Sequence, residues 1–478
     1  MNRTIIIILF SFLLIISVVF KIGYDGVVSL KEDTIGDKIG DLLPEDFKDF
    51  LKENIFFVAK YKQDMNALNN KIEKYKNIIR ENNEIIYKNV GKINFQLITE
   101  RAIEKNEKLS IRVTGTNHLF NGKNPYAIAS GYLDIYDNKI FLGSADGNFF
   151  YNDLYELENE NYQLNIIQSN LKKLVNNKKL NQNNFFGIKD IHIQNNKLFV
   201  SYIKEIKKNC FNLAVAVSDL NYSFLNFTKI FGFEQCAEKK ADISHSGGRI
   251  VKFDNENVFL TIGDFNQRDS VQKDSSFFGK IIKINLENYE TKIISRGHRN
   301  PQGLFFAKNK NILFSTEHGP IGGDEVNLIN ISKLNSKNYN FGWPIASYGV
   351  GNQADPTKFL NKDIKYEGHK KNGYDEPIKY FTPSIGISQL IVKDDQFNEN
   401  LVEIYISSLG TAIWEGDMSI HQVSYDINSN QVLNSKILPI YERIRDIIYY
   451  EKNNTLYLFL ESDNWYQGAN IAMINLNN

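Results

Sequence analysis

From about residue 110 onward, short apolar stretches alternate with polar turns, and one pattern recurs six times. Each copy has a short apolar strand, a turn of Asp, Asn or Lys, and a second apolar strand, and the copies begin at residues 131, 187, 248, 303, 386 and 444. A four-stranded blade with its loops needs about 40 to 50 residues or somewhat more. The pattern therefore predicts an all-β chain whose residues 111–478 form a six-bladed β-propeller.

Two other fold classes fit this pattern less well. A parallel α/β fold needs an amphipathic helix between successive strand pairs, and the intervals after residue 110 contain few helical periods. A β-sandwich does not generate six similar units. The longest interval, from 303 to 386, predicts an insertion in the Gly- and Lys-rich stretch 345–383.

The start of the chain has a different pattern. Residues 4–20 form an uncharged apolar run between Arg3 and Lys21, without the polar face of a core helix. The run is followed by no small-x-small cleavage site, which favours a retained signal-anchor over a removed signal peptide in residues 1–22. Whether this segment is retained or removed, the rest of the chain is predicted to be exported to the periplasm or another extracytoplasmic space. If the segment is retained, it anchors the protein to the inner membrane.

Residues 23–110 are predicted to form a helical, membrane-proximal segment. Between about 44 and 90 the sequence is rich in Lys, Glu, Asn and Ile and contains no Gly. Apolar residues recur there at steps of three and four, which places on one helix face Met65, Leu68, Ile72, Tyr75 and Ile79. This stripe fits a helix lying on its own domain or a coiled-coil spacer, although Asn82 interrupts it.

Composition narrows the function classes. With 478 residues, of which 42% are hydrophobic, the chain can bury a large core and is not a disordered protein. The 56 Lys and Arg residues balance 56 Asp and Glu residues, so overall charge does not attract nucleic acid. Cys210 and Cys236 lack the spacing of a zinc site; they are either bridged in an oxidising compartment or two free buried thiols.

A first motif with candidate chemistry joins a histidine to a carboxylate. His245 in SHSGGRI and Asp264 in TIGD lie at the two ends of one predicted strand pair, so a hairpin can bring them together. Such a pair forms a general base, because the carboxylate fixes the imidazole tautomer and stabilises the imidazolium. The alternative is a histidine that is merely solvated beside a Gly-Gly turn.

Two further motifs offer a guanidinium and a set of oxygen ligands. In GHRNPQGL, Arg299 and Asn300 precede a proline that keeps the backbone extended, so they either face a ligand or join neighbouring blades. In EHGPIGGDEVN, three glycines let the backbone approach a ligand, and Asp324 and Glu325 add carboxylates. Oxygen donors of this kind suit a hard cation such as calcium, although the spacing is not that of an EF-hand.

Together these motifs resemble the glucose/sorbosone dehydrogenase family, soluble sugar dehydrogenases that use pyrroloquinoline quinone (PQQ). The shared segments are HSGGR, TIGD, GKIIKI, GHRNPQGL, EHGP followed by GGDEVNLI, NYNFGWP, FTPSIG and RIRD. The resemblance covers about residues 130–478. It implies that His245 is the base that removes the proton of the anomeric hydroxyl, that Asp264 orients it, and that Arg299 and Asn300 contact the quinone oxygens.

The resemblance also implies residues that hold the cofactor. Arg443 and Arg445 match a pair that binds PQQ carboxylates, as planar guanidinium groups can, and Gln182 matches a glutamine that contacts the cofactor. One position differs from the family pattern. Several relatives have Ser-Leu-Lys in the fifth blade, whereas this chain has Ser-Leu-Gly, with Gly410 in place of the lysine. The lost lysine contact corresponds to about 1.5 to 3 kcal/mol if it was a charge-assisted hydrogen bond.

For calcium, the resemblance implies two sites. The backbone oxygens of Gly319 and Pro320 match the ligands of the ion that bridges to PQQ. Glu325 and Tyr339 resemble ligands of a second, structural calcium.

The sequence thus predicts a membrane-tethered, exported propeller that oxidises an aldose with PQQ and calcium. Electrons leave to an external acceptor, a membrane quinone or a cytochrome, because the chain has no CxxCH haem site. One alternative is a non-catalytic propeller that binds a glycan or a protein, which Gly410 favours. Another is a lactonase-type hydrolase that uses calcium to polarise an ester.

Overall fold

The structure is a computed structural model, and it describes residues 65–71, 74, 91–103, 109–116, 130–175, 186–238, 241–320, 322–349, 368–395, 398–410, 416–461 and 468–477. The chain divides into two units, Met1–Asn82 and Asn83–Asn478. In the first unit, residues 65–71 are helical, and Met65 and Leu68 are exposed. The predicted anchor at residues 4–20 lies outside the described residues. Within the described part, no helix is long and apolar enough to span a bilayer.

The second unit is built from strands. In chain order these are β1 (Lys92–Ala102), β2 (Ser110–Gly115), β3 (Gly131–Tyr136), β4 (Lys139–Ser144), β5 (Phe149–Asp153), β6 (Asn161–Ser169), β7 (Ile188–Gln194), β8 (Lys197–Lys207), β9 (Cys210–Asp219), β10 (Phe224–Leu225), β11 (Thr228–Gly232), β12 (Gly247–Lys252), β13 (Asn257–Ile262), β14 (Lys280–Asn285), β15 (Thr291–Arg296), β16 (Pro301–Ala307), β17 (Ile312–Glu317), β18 (Asp324–Asn330), β19 (Tyr339–Asn340), β20 (Lys379–Phe381), β21 (Ile387–Asp394), β22 (Leu401–Ser408), β23 (Ser419–Asp426), β24 (Gln431–Pro439), β25 (Arg443–Tyr450), β26 (Thr455–Glu461) and β27 (Asn470–Asn475). Two short α-helices, Leu171–Val175 and Arg268–Val271, lie in the connections.

These strands form six four-stranded antiparallel blades in the described part of the chain. Blade 1 is β3–β6, blade 2 is β7, β8, β9 and β11, blade 3 is β12–β15, blade 4 is β16, β17, β18 and β20, blade 5 is β21–β24, and blade 6 is β25, β26, β27 and β2. The first strand of each blade contacts the first strand of the next, and β25 contacts β3, so the ring is closed. The predicted six-bladed propeller is confirmed.

The two ends of the propeller are joined by pairing of its first and last strands. β2 is the outermost strand of blade 6 and pairs with β27, so strands from both ends of the unit build one blade. β1 pairs with both β2 and β6, which links the outer edges of blades 6 and 1. Hydrogen bonds between these strands therefore hold the ring shut.

The propeller begins earlier than we predicted. Residues 23–110 were expected to be helical, but β1 lies within this range and is paired in the sheet. In its first half, buried Ile93 and Phe95 alternate with exposed residues, which is the two-residue period of a strand with one covered face. The stretch 345–383 is also not wholly an insertion, because its β20 forms the outer strand of blade 4.

The apolar core lies between neighbouring blades. Between blades 2 and 3, for example, buried side chains of β9 such as Leu213 and Val215 pack with Leu260 and Ile262 of β13. A disulfide joins Cys210, at the start of β9, to Cys236 beyond β11, which is the first of the two alternatives for these cysteines. The blades therefore form a packed scaffold that fixes the strand ends around the central channel.

Candidate active site

The innermost strands change register near their starts, where they face the channel. The pairing of β7 with β8 shifts between Ile188 and Asp190, that of β16 with β17 between Pro301 and Gly303, and that of β25 with β26 between Ile444 and Asp446. A bulge of this kind re-aims the side chain of the extra residue. The three residues so placed are Lys189, Gln302 and Arg445.

Arg249, from the HSGGR motif, occupies the centre of the ring and is 2% exposed. Its Nη1 lies 3.2 Å from Asp190 Oδ1 and 2.7 Å from Asp446 Oδ1. Its Nε donates to the carbonyl oxygen of Gln302 at 2.7 Å, and its Nη2 donates to that of Arg445 at 2.9 Å. One side chain of blade 3 thus connects blades 2, 4 and 6 and holds the backbone at the bulges of β16 and β25.

The structure brings His245 and Asp264 together, as their positions in one hairpin predicted. His245 ends a 3₁₀ turn before β12, and Asp264 follows β13. The ring Nδ1 lies 3.1 Å from Asp264 Oδ1. The turn depends on Gly263, because a Cβ there would overlap the carbonyl oxygen of His245.

Asp264 is fully buried and satisfied by three donors. Besides His245 Nδ1, its carboxylate accepts the backbone N–H of Asn266 at 2.7 Å and Trp343 Nε1–H at 2.7 Å. A carboxylate held in this way accepts the Nδ1–H of His245 and leaves Nε2 as the proton acceptor of the imidazole.

Arg299 reaches the histidine from blade 4. Its Nη2 lies 2.9 Å from His245 Nε2, and its Nη1 donates to the carbonyl oxygens of Gly319 at 2.8 Å and His318 at 3.2 Å. The guanidinium lies over the Trp343 ring, 5.5 Å from its centroid, and burial lowers its pKa. The buried Arg299 Nε has no hydrogen-bond partner among the described residues, so one donor at the channel mouth is unsatisfied.

The two arginines expected to hold carboxylates converge on Glu461. Arg443 Nη2 lies 3.0 Å from Glu461 Oε2, and Arg445 Nε lies 2.6 Å from Glu461 Oε1. Burial alone would raise the pKa of Glu461, but Arg445 and Arg443 hold it below its usual value. The sequence analysis did not predict this carboxylate. Each of its oxygens contacts one guanidinium group, so two positive charges face one negative charge.

A chain of side-chain contacts links these arginines to the histidine. Asn300, which we expected to face the quinone, accepts the N–H of Gly247 at 3.3 Å and the amide of Gln302 at 2.8 Å. Gln302 Oε1 in turn lies 3.2 Å from Arg445 Nη1. Because Gly247 is two residues from His245, the base and the arginine pair lie around one channel.

Gly319 and Pro320, the predicted calcium ligands, line a cleft together with Arg299 and Trp343. The carbonyl oxygens of His318 and Gly319 converge on one guanidinium nitrogen of Arg299. Converging carbonyl oxygens also suit a hard cation, so this donor set fits calcium.

The pair expected to hold a second calcium is arranged differently. Glu325 Oε1 lies 3.0 Å from His369 Nε2, while the Tyr339 hydroxyl lies 3.1 Å from the backbone nitrogen of Asn330. His369 Nδ1 lies 3.1 Å from the carbonyl oxygen of Asp375, so both ring nitrogens face acceptors. Burial lowers the pKa of His369, but Glu325 outweighs this and raises it. The Glu325 carboxylate therefore faces an imidazole rather than the Tyr339 hydroxyl, and a donor set with a histidine between its oxygens does not match the oxygen ligands that calcium takes.

Several residues near the base were missed or fall outside the structure. Asp242 Oδ2 lies 3.5 Å from His245 Nε2, and Trp343 binds Asp264. Trp343 was within NYNFGWP, so a signal existed, whereas nothing in the sequence paired Glu461 with the arginines. Gln182 lies outside the described residues.

The sequence profile of glucose/sorbosone dehydrogenases matches residues 161–466, which is more than half of the chain and includes the segments from HSGGR to RIRD. The chain belongs to the glucose/sorbosone dehydrogenase family.

Individual members of the glucose/sorbosone dehydrogenase family match over shorter stretches. Aldose sugar dehydrogenase YliI of Escherichia coli is 30% identical over 181 residues, which cover 35% of this chain and 45% of that protein. Quinoprotein glucose dehydrogenase B of Acinetobacter calcoaceticus is 33% identical over 155 residues, covering 25% of this chain and 31% of that protein. Both alignments span less than half of the relative.

Solved structures agree with the fold of this family member. The soluble aldose sugar dehydrogenase of Escherichia coli in its apo-form aligns with a TM-score of 0.56 at 18% identity, covering 76% of this chain and 99% of that one. A glucose dehydrogenase structure aligns with a TM-score of 0.54 and covers 72% of this chain and 95% of that one.

Proposed function

We propose that this protein oxidises an aldose sugar at the mouth of its propeller channel, with PQQ as redox cofactor and calcium as the accompanying ion. The observation that carries the proposal is the contact series from Asp264 through His245 to Arg299. It joins an oriented base to a buried cation at one site. Membership of the family supports this reaction class, as does a relative named as a quinoprotein glucose dehydrogenase.

The residues present fit PQQ, which is a tricarboxylate with quinone oxygens. Within the described part of the chain the buried Nε of Arg299 has no hydrogen-bond partner, and Arg443 and Arg445 share the single carboxylate of Glu461. A ligand with carboxylates and carbonyl oxygens supplies acceptors for such donors. When bound, PQQ accepts the two electrons and the hydrogen of the sugar C1–H bond.

The chain's own residues orient the sugar and move its proton. With Nδ1–H donated to Asp264, His245 accepts the proton of the anomeric hydroxyl at Nε2. In this structure Arg299 Nη2 lies 2.9 Å from His245 Nε2. The sugar hydroxyl would replace this contact when the guanidinium binds the ligand instead. Asp264 stabilises the imidazolium that forms, and Arg299 stabilises negative charge on a bound oxygen.

Calcium is proposed at the carbonyl oxygens of His318, Gly319 and Pro320, of which those of His318 and Gly319 now accept hydrogen bonds from Arg299. The protein is further proposed to act outside the cytoplasm. The apolar run 4–20 supports an anchor in the membrane, and the Cys210–Cys236 disulfide fits an oxidising compartment. The electrons would then pass to an external quinone or cytochrome.

The experiment is a dye-reduction assay on the full chain loaded with calcium and PQQ, with a panel of aldoses as donors. Activity is expected to disappear in His245→Ala and in Arg299→Ala while the fold, followed by circular dichroism, persists. Lys252→Ala is the control, because Lys252 is exposed at the opposite end of β12 from His245.

Two outcomes would reject the proposal. If the intact chain takes up no PQQ at micromolar concentration, it is not a quinoprotein. Metal-dependent hydrolysis of a lactone without any quinone would instead favour the hydrolase alternative.

A further inference from the structure

Blades 2 and 6 carry similar four-residue sequences, with a basic residue second and an aspartate third, at the same place in their innermost strands. Ile188–Ile191 reads IKDI in β7, and Ile444–Ile447 reads IRDI in β25. In both strands the register shift falls at the second residue of the four. Lys189 is therefore the positional counterpart of Arg445, one on each side of blade 1.

The aspartates that follow show that the two positions lie at the same level of the ring. Asp190 and Asp446 both contact Nη1 of Arg249, at 3.2 and 2.7 Å. The residue before each aspartate thus occupies the same position in its strand, at the same kind of register shift.

Lys189 is held inside the channel wall. It is 7% exposed, and its stem covers Gly248, where a Cβ would overlap Lys189 Cβ. The charges of Arg445 and Glu461 shift the pKa of its ammonium group in opposite directions. Lys189 thus adds a third basic group to the part of the ring where Arg443 and Arg445 pair with Glu461.

The fifth blade does not supply the lysine that the resemblance implied. At Gly410 an added Cβ would overlap the carboxylate of Asp417, which is 4% exposed. A longer side chain at this position has no room while Asp417 occupies that space. This position therefore supplies no basic group to the channel.

We propose that Lys189 is the third basic residue, with Arg443 and Arg445, of an anion site in the channel, and that it binds a carboxylate of the ligand. This inference rests on the proposed function, because PQQ is the carboxylate ligand used to test it. Lys189, in blade 2, then supplies the positive charge that a lysine at position 410 in blade 5 would have supplied.

The protonation of Lys189 gives the site a pH dependence. Burial, and to a lesser extent the charge of Arg445, lower the pKa of Lys189 to about 7 although Glu461 opposes them. The other charged groups near this part of β7 are Asp190, Arg249 and Asp446, which form one ion-pair cluster, and His192, which lies 3.4 Å from Asp134. Since the amine loses its proton as pH rises through about 7, the affinity for an anion is expected to fall above that pH.

The test is an equilibrium titration of the full chain with PQQ, read by fluorescence quenching at pH 6 and pH 8.5. Lys189→Met is expected to weaken binding about 10- to 100-fold at pH 6, the size of a lost charge-assisted hydrogen bond. Lys252→Met makes the same chemical change at the exposed end of β12 and is expected to leave affinity unchanged.

Lys189→Arg separates a charge effect from a packing effect. The wild-type chain is expected to lose about 10-fold in affinity between pH 6 and pH 8.5, whereas the arginine variant, charged at both values, keeps its affinity. This comparison decides the question even if Lys189→Met does not fold.

The outcomes are distinct. Failure of the wild-type chain to bind PQQ overturns the proposed function and this inference with it. If the wild-type chain binds PQQ but Lys189→Met binds equally well, or if wild type and Lys189→Arg show the same pH profile, only the role of Lys189 is overturned.

Discussion

Replacing Arg249 by methionine tests the contact at the centre of the propeller. Methionine keeps a long apolar stem but removes the charge and all the donors. The buried carboxylates of Asp190 and Asp446 lose their counter-charge, and the carbonyl oxygens of Gln302 and Arg445 lose a hydrogen bond. Breaking a buried ion pair by removing one partner costs about 3 to 5 kcal/mol, and each unsatisfied carbonyl adds about 1 kcal/mol or more.

Protonation limits this loss. Burial raises the pKa of Asp190 to about 7 even with Arg249 present, and it also raises the pKa of Asp446. Without Arg249 both carboxyls can take up protons, so we expect a net loss of about 3 to 5 kcal/mol near pH 7.5. Because the total stability of a domain is about 5 to 15 kcal/mol, this loss is large enough to measure.

The assay is urea unfolding of the oxidised full chain, followed by circular dichroism and tryptophan fluorescence. Acids whose pKa is higher in the folded than in the unfolded state bind more protons when folded, so stability falls as pH rises from about 4 to 7. Arg249→Met is therefore expected to recover part of its loss at pH 5.

A matched variant separates charge from shape. Arg249→Met combined with Asp190→Asn and Asp446→Asn removes the uncompensated carboxylates and is expected to regain more than half of the lost stability. A change of less than about 1 kcal/mol for Arg249→Met alone at pH 7.5 would refute the reasoning, because it would mean that the carboxylates do not depend on this guanidinium.

Three further predictions concern the base, the buried glutamate and the disulfide. Asp264→Asn is expected to lower kcat for aldose oxidation by about 10²- to 10⁴-fold with PQQ affinity unchanged, since an amide does not hold His245 in the required tautomer; steady-state kinetics with an unchanged kcat would contradict it. The pKa of Glu461 is lowered in the folded protein, so its stabilisation is present above about pH 4.5 and is lost as pH falls through the folded pKa. Urea midpoints between pH 3 and 6 should vary less in Glu461→Gln than in wild type, and equal slopes would argue against the pairing. Replacing Cys210 and Cys236 together by alanine opens a loop set by a sequence separation of 26 residues; the expected loss is about 3.5 kcal/mol on the chain-entropy estimate. Calorimetry should show a similar loss for the reduced wild-type chain, and no loss in either sample would contradict the estimate.

The local signals in the sequence were sufficient for the blades and for the base. Strand–turn–strand units repeat along the chain, and their number defines a six-bladed ring because each unit buries its faces only against its neighbours. His245 and Asp264 were predictable as a pair because they flank the two strands of one hairpin, β12 and β13. The alternation of apolar and polar residues at the start of β1 can also be seen in the sequence, but its pairing with β2 and β6 cannot.

Contacts between blades could not be read in this way. Arg299 meets His245 across 54 residues of chain, and Arg249 meets Asp446 across 197. No periodicity encodes such pairs, because their distances depend on how the closed ring sets the angle and register of each blade.

The sequence by itself determined which elements form and which chemical groups stand at their ends, since both follow from the spacing of apolar, polar and glycine residues. Only the tertiary structure decided which charged groups are neighbours. It pairs Glu461 with Arg443 and Arg445, pairs His369 with Glu325, and exposes Lys189 to the charge of Arg445. The physical reason is that a buried charge interacts with whatever lies within a few ångströms in a medium of low dielectric. In a propeller, those neighbours are assembled from all six blades when the ring closes.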